Sequence, residues 1–252
     1  MMYNTVLITG AAKRIGENLA LHFAKNGWNI AIHFNKSASS AKKLKNTIQS
    51  YGVDCITIKA DLSNLNQIKN ILRKIKKKLG SLNCIINNAS IFENDDILNF
   101  TDKNYQKHQN VNFLAPVLLS REFAKMKGHT KLNSVINILD QRVFKLTPYF
   151  FSYTISKTSL MTFTKVAAMK FAPHIRVNGV APGPTLKNVR QSNSHFNKQG
   201  KNTLLKTKVS MDDICKTVYL LANSESITGQ VIAVDSGQSL NFKTPDLIGV
   251  KE

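Results

Sequence analysis

Tyr153 and Lys157 stand four residues apart, as Tyr-x-x-x-Lys. On a helix, residues i and i+4 share a face. A phenol with an ordinary pKa of about 10 is a poor acid–base group near neutral pH. An ammonium beside it stabilises the phenolate and lowers that pKa. The pair is therefore a candidate proton donor working beside a hydride acceptor. The same spacing occurs in many helices that do no chemistry, so it needs company.

A second group lies near the N-terminus, in Thr9-Gly10-Ala11-Ala12-Lys13-Arg14-Ile15-Gly16. Gly10 permits a tight turn and Gly16 permits close helix–sheet packing. The helix that follows offers free amides and a positive dipole end to a pyrophosphate. Arg14 stands where such turns usually carry a middle glycine, and its guanidinium can take phosphate contacts itself. Lys13 and Ile15 complete the candidate cradle. Downstream, at the end of the second strand, comes His33-Phe34-Asn35-Lys36-Ser37. A dinucleotide without a 2′-phosphate usually meets an Asp or Glu about 20 residues after the glycines. No carboxylate stands there, and Lys36 and Ser37 suit a 2′-phosphate, so NADPH is favoured over NADH. The competing readings are an ordinary strand–helix turn and a solvated lysine.

These residues need elements to hold them. Val6–Thr9 reads as a short buried strand and residues 10–16 as a turn. A helix follows with Ile15, Leu19, Ala20 and Phe23 on one face, stopped at Asn26-Gly27. Trp28–His33 and Cys55–Lys59 read as strands, with a polar helix over about 39–50 between them. Ile68, Ile71, Leu72, Ile75 and Leu79 have helical spacing. Further strands are expected at Asn83–Asn87, Ser134–Leu139, Ile175–Val180 and Val231–Asp235, and further helices at Tyr153–Phe171 and Met211–Leu221. Strands apolar on both faces, alternating with helices, imply a doubly wound, mostly parallel α/β sheet of Rossmann type with helices on both faces. We expect a single domain over residues 1–240. The polar, aperiodic segment 184–210 is expected to be a substrate loop, and 241–252 a short tail.

A chain of 252 residues can bury a full core without disulfides or metals. Cys55, Cys84 and Cys215 are odd in number and far apart, which argues against a disulfide framework or a thiolate metal site. The six histidines lack metal-ligand spacing, so no metal is expected. Neither a signal-peptide pattern nor an apolar run near ~20 residues is visible. A cytoplasmic protein with no membrane partner is expected. The formal charge of +20 invites a nucleic-acid reading. Yet the lysines are spread along the chain, and the densest run, 73–78, falls on a helix whose other face is apolar. We read them as solvated faces, with no nucleic-acid partner, able to attract an anionic cofactor or substrate.

Taken in order, these motifs resemble the short-chain dehydrogenase/reductase family. The resemblance runs through the Thr9–Gly16 turn, Asp61-Leu62, Asn87-Asn88-Ala89, Asn112, Tyr153/Lys157, Pro182-Gly183 and Asp235-Ser236-Gly237. It implies Tyr153 as proton donor, Lys157 on the nicotinamide ribose, and Asn112 in a proton relay. It also implies Asp61 near the adenine, and Leu62, Asn88, Ala89, Ser90, Pro182 and Gly183 among the cofactor contacts. Members that reduce ordinary ketones carry a serine thirteen residues before the tyrosine; here that position is Asp140. A carboxylate is ill suited to stabilising a carbonyl oxygen gaining negative charge. It suits a nitrogen heterocycle, where it can relay a proton or accept N–H bonds.

The pteridine reductase branch of the family has the same Asp, and the chain is similar to it in further places. They are Arg14, the basic residue and serine at Lys36-Ser37, and Asn87-Asn88-Ala89-Ser90-Ile91-Phe92, where the general family has Gly at Ser90. Phe92 matches the branch's aromatic that stacks on the pterin. The resemblance thus implies a pterin- or folate-type substrate held by Arg14, Ser90, Phe92, Asp140 and Tyr153, and a homo-oligomer, dimer or tetramer. Arg190 is a candidate for an anionic substrate tail. Two other readings stay open: a carbonyl reductase such as a 3-oxoacyl thioester reductase, and a noncatalytic NADPH- or nucleic-acid-binding protein. Asp140 as a simple cap and Phe92 as core are the bland alternatives.

Overall fold

The computed structural model describes residues 4–126, 128, 133–187 and 192–242. Seven strands build one sheet: β1 (Thr5–Ile8), β2 (Asn29–Phe34), β3 (Cys55–Lys59), β4 (Cys84–Asn87), β5 (Ser134–Ile138), β6 (Arg176–Pro182) and β7 (Val231–Val234). Their order is β3-β2-β1-β4-β5-β6-β7, and every pairing is parallel. The helices are α1 (Arg14–Lys25), α2 (Ala38–Gln49), α3 (Ile68–Leu79), α4 (Asp102–His108), α5 (Ala115–Ala124), α6 (Phe151–Phe171), α7 (Asn193–Lys201) and α8 (Met211–Asn223). This is the doubly wound, Rossmann-type arrangement that the alternation of apolar strands and helices implies.

The two-residue period of β1 shows why both faces are covered. Val6 and Ile8 enter one core with Leu19 and Phe23 of α1, Leu44 of α2 and Val218 of α8. Leu7, between them, enters the other with Ile71 and Ile75 of α3, Phe123 of α5 and Ala167 of α6. The order reverses at β1: β2 lies on one side of it and β4 on the other. Such a switch point opens a crevice at the carboxyl ends of the strands, and loops from β1, β4 and β5 reach it.

Strand and helix ends fall within about two residues of the sequence expectations, as helix assignments generally do. Three helices escape those expectations. α4 is polar and buries only His108. α5 does have a buried stripe, but Pro116 and Ser120 interrupt its apolar pattern. Pro116 is tolerated because it sits in the first turn. α7 lies within the segment read as irregular; of its positions whose burial is described, Phe196, Gln199 and Gly200 are the less exposed, too weak a stripe to see. Between α4 and α5 the chain takes a wider π-type turn over Gln109–Leu114, which carries Asn112. Arg190 and the tail beyond residue 242 lie outside the described residues. None of the described helices is long and apolar enough to cross a membrane.

Candidate active site

The turn after β1 is built around His33. Its Nδ1 accepts the Gly10 N–H at 3.1 Å, and its Nε2 faces the Ala60 carbonyl at 3.2 Å. The Ala11 N–H bonds the His33 carbonyl at 2.9 Å. Burial pushes the imidazole down to about 4, so the ring is neutral and carries its proton on Nε2. Gly10 has φ +63°, and a Cβ there would come within 3.0 Å of the Ala89 Cα. Arg14, in the middle-glycine position, also has φ +59°, a left-handed conformation that costs a non-glycine residue about 1–2 kcal/mol. A Cβ on Gly16 would lie 2.6 Å from the Gly10 carbonyl oxygen. Asn88 fastens the turn from β4, its Nδ2 donating to the Thr9 and Gly10 carbonyls at 2.8 and 3.2 Å.

This turn forms one wall of a cavity of about 480 Å3 lined by Gly10, Lys13, Arg14, Ile15, His33, Asn35, Lys36, Asp61, Leu62, Asn88, Ala89 and Ser90. Three cations and the N-terminus of α1 face a space that no strand-end carboxylate of β2 occupies, so the donor set fits a polyanionic dinucleotide. Asp61 is held below the usual carboxylate range by the Ser63 N–H and hydroxyl, with help from Lys36 and Asn35. Lys107 also reaches this wall, paired with Glu93 at 2.7 Å. Ser37 does not line the cavity; it precedes α2, its carbonyl accepting the Ala41 N–H at 3.0 Å.

The second cavity, about 790 Å3, shares Arg14, Ile15, Asn88 and Ser90 with the first and adds Phe92, Asp140, Tyr153, Lys157, Pro182 and Gly183. The Tyr153 hydroxyl donates to Asp140 Oδ2 at 2.8 Å. Oδ1 of the same carboxylate accepts the Arg142 N–H at 2.9 Å. Lys157 Nζ donates to the Ile138 carbonyl at 2.7 Å and lies 5.8 Å from the Tyr153 ring.

One expectation is corrected here. Lys157 does not lower the Tyr153 pKa in this arrangement. Burial, and then the Asp140 carboxylate, push the phenol well above 10. Burial pushes Lys157 down to about 8, against the pull of Asp140. Asp140 is raised by burial despite bonds from the Arg142 N–H and Tyr153. Tyr153 therefore stands protonated at neutral pH, its hydroxyl proton directed at Asp140.

Asn112 is fully buried and its amide is committed. Oδ1 accepts the Ile91 N–H at 2.9 Å, and Nδ2 donates to the Ile91 carbonyl and Ser156 Oγ, both at 3.0 Å. It pins the Ser90–Phe92 loop to α6. Phe92 packs edge-on to Tyr153 at 4.6 Å and stacks on Phe150 at 4.2 Å and 12°. Arg14 spends two donors on the Lys187 and Leu186 carbonyls at 2.8 and 3.1 Å, tying the turn to the start of the 184–210 segment.

Sequence reasoning missed Asp95, Phe150 and Arg142. Asp95 is buried, and its Oδ1 accepts the Ser152 N–H at 3.1 Å at the head of α6. Its carbonyl accepts the Phe150 N–H at 2.7 Å, where Phe150 has φ +59°. A carboxylate 57 residues upstream of the helix it serves leaves no local signal. Among the described residues no cluster of His, Cys, Asp or Glu would hold a metal ion.

Comparison with known proteins adds four findings. Residues 10–239 match the family described as Enoyl-(Acyl carrier protein) reductase. The chain is 27% identical over 241 residues to the 3-oxoacyl-[acyl-carrier-protein] reductase FabG of Staphylococcus aureus, covering 94% of this chain and 98% of that one. It is 36% identical to the FolM alternative dihydrofolate reductase 1 of Brucella canis, solved in complex with NADP, with a TM-score of 0.94 and 98% of each chain covered. A blue fluorescent protein from a metagenomic library, solved with NADPH, shares the fold at 24% identity and a TM-score of 0.86.

Proposed function

The chain belongs to the short-chain dehydrogenase/reductase family, and from that premise we propose that it is an NADPH-dependent reductase of a pterin-type substrate, a dihydropteridine or dihydrofolate. The observation that carries this reading is the 2.8 Å bond from the Tyr153 hydroxyl to Asp140, at the position where ketone-reducing relatives carry serine. The 36% identity to an alternative dihydrofolate reductase supports it.

When bound, NADPH supplies a hydride to the carbon of a C=N bond. Lys13, Arg14 and Lys36 would hold its phosphates, on the cavity wall that His33 and Asn88 stiffen. Tyr153 delivers its proton to the ring nitrogen, so that hydride and proton together saturate the bond. Asp140 fixes the direction of the Tyr153 O–H and accepts the water-derived proton that reloads it. Lys157 holds a positive charge behind the phenol, and Phe92 offers a flat apolar wall to the heterocycle.

The 27% identity to a 3-oxoacyl thioester reductase favours a second reading, carbonyl reduction. NADPH oxidation at 340 nm with dihydrobiopterin, dihydrofolate and a 3-oxoacyl thioester separates the two. Turnover of a pterin or folate without the thioester is the expected result; the reverse would end the pterin reading. Within that reading, Asp140→Ser is expected to lower pterin turnover by roughly 10²-fold or more, the scale of a lost proton-transfer partner.

A further inference from the structure

We infer that Arg142 is a recognition residue for a carboxylate carried on an arm of the substrate, so that this site prefers conjugated, folate-type substrates over pterins that lack the acidic tail. The inference rests on the pterin reading above and narrows its substrate class.

Arg142 lines the cavity that holds Tyr153 and Asp140. Its guanidinium carbon lies 4.9 Å from the Phe150 ring centroid and 5.9 Å from that of Phe92. Its Nη1 donates to Thr147 Oγ1 at 2.9 Å. These contacts hold the planar head in place before any ligand arrives, which spares the cost of ordering a long side chain. Among the described residues, no carboxylate lies within ion-pair distance of it, although its charge acts on Asp140 from further away. The guanidinium has five donors, so a fork remains for a bidentate carboxylate.

The other arginine of the cavity is spent differently. Arg14 directs Nη1 and Nη2 at backbone carbonyls, and it also faces the dinucleotide-type cavity. Arg142 is absent from that second wall and stands beside the aromatic surface instead. Phe92, Phe150 and Arg142 border the same cavity, so a ligand bound there meets this cation beside the aromatic pair. A neutral hydroxylated side chain gains little from a guanidinium; an anionic one gains a charge-assisted pair in a partly desolvated wall.

The test compares kcat and KM for dihydrofolate and dihydrobiopterin in the wild type, Arg142→Gln and Arg142→Lys, with NADPH affinity read by nicotinamide fluorescence to report intact folding. Arg142 also lies near Asp140, so a loss in kcat common to both substrates is expected and is not diagnostic. The diagnostic result is a kcat/KM for dihydrofolate that falls at least tenfold further than that for dihydrobiopterin in Arg142→Gln, through KM. Arg142→Lys should fall between the wild type and Arg142→Gln. Equal losses for the two substrates, or no loss of dihydrofolate affinity, would overturn the inference while leaving the pterin reading intact. A wild type that reduces only the thioester would instead fail at the first step and remove both.

Discussion

His33 fixes a turn and a charge state together. The Gly10 N–H and the Ala60 carbonyl require one neutral tautomer, and burial holds the ring at about 4, below its ordinary 6.5. In the unfolded chain the imidazole takes up its proton near 6.5. The unfolded state therefore binds more protons between about 6.5 and 4, and stability falls as pH drops through that window. The shift corresponds to roughly 3 kcal/mol at its limit. Urea unfolding at pH 7, 5.5 and 4.5 should show this loss, and His33→Gln should flatten that part of the profile while weakening the turn. An unchanged profile in the variant would mean that other groups set the acid limit. At Tyr153 burial also keeps the neutral form, but for a phenol this pushes the pKa up, not down. Tyr153→Phe should lower turnover by roughly 10² to 10⁴ while NADPH still binds; full activity would remove the proton-donor role.

At the scale of elements, α6 carries both Tyr153 and Lys157, and what aims it lies elsewhere in the chain. Asp95 caps its first turn, Asn112 meets Ser156 on its flank, and Asn137 of β5 donates to Thr164 further along at 2.9 Å. Asp95 Oδ2 also accepts from Asn104 of α4 at 3.3 Å. A buried carboxylate at a helix N-terminus contributes about 1–2 kcal/mol through the cap bond and the helix dipole. Asp95→Ala should cost about that much in denaturant unfolding, and should lower kcat more than it raises KM for NADPH. Asp95→Asn, which keeps the acceptor, should recover much of the loss. Equal stability in Asp95→Ala would show that the backbone bonds of residue 95 hold α6 unaided. This element also marks where sequence reading ran out. Tyr153, Lys157, the glycine turn and Lys36 were legible because short-range spacing and local backbone demands display them. Val6, Leu7 and Ile8 showed a strand buried on both faces for the same reason. Asp95, Phe150 and Arg142 were not legible, since each acts through contacts that only the folded loops create. Nor was the upward push on Tyr153, because burial depth is not written in the Tyr-x-x-x-Lys spacing.

For the whole molecule, the +20 formal charge gains a direction from the fold. The lysines are dispersed, but Lys13, Arg14, Lys36 and Lys107 converge on the dinucleotide-type cavity, where Lys107 pairs with Glu93, Lys36 lies near Asp61 and Arg14 bonds the Leu186 and Lys187 carbonyls. A strongly positive protein attracts a polyanionic cofactor from a distance, and the convergent cations add a local term. Salt weakens both, since the screening length falls to about 8 Å at physiological ionic strength. KM for NADPH should therefore rise roughly fivefold or more between low and ~0.3 M KCl, with kcat little changed, because the proton-transfer groups are buried. Lys36→Ala should lower the slope of log KM against log salt as well as raise KM at low salt. If NADPH affinity is insensitive to salt, the dispersed charge serves solubility alone. If KM rises with salt but the Lys36→Ala slope is unchanged, the attraction comes from the molecule's overall field and not from the strand-end lysine that the 2′-phosphate assignment requires.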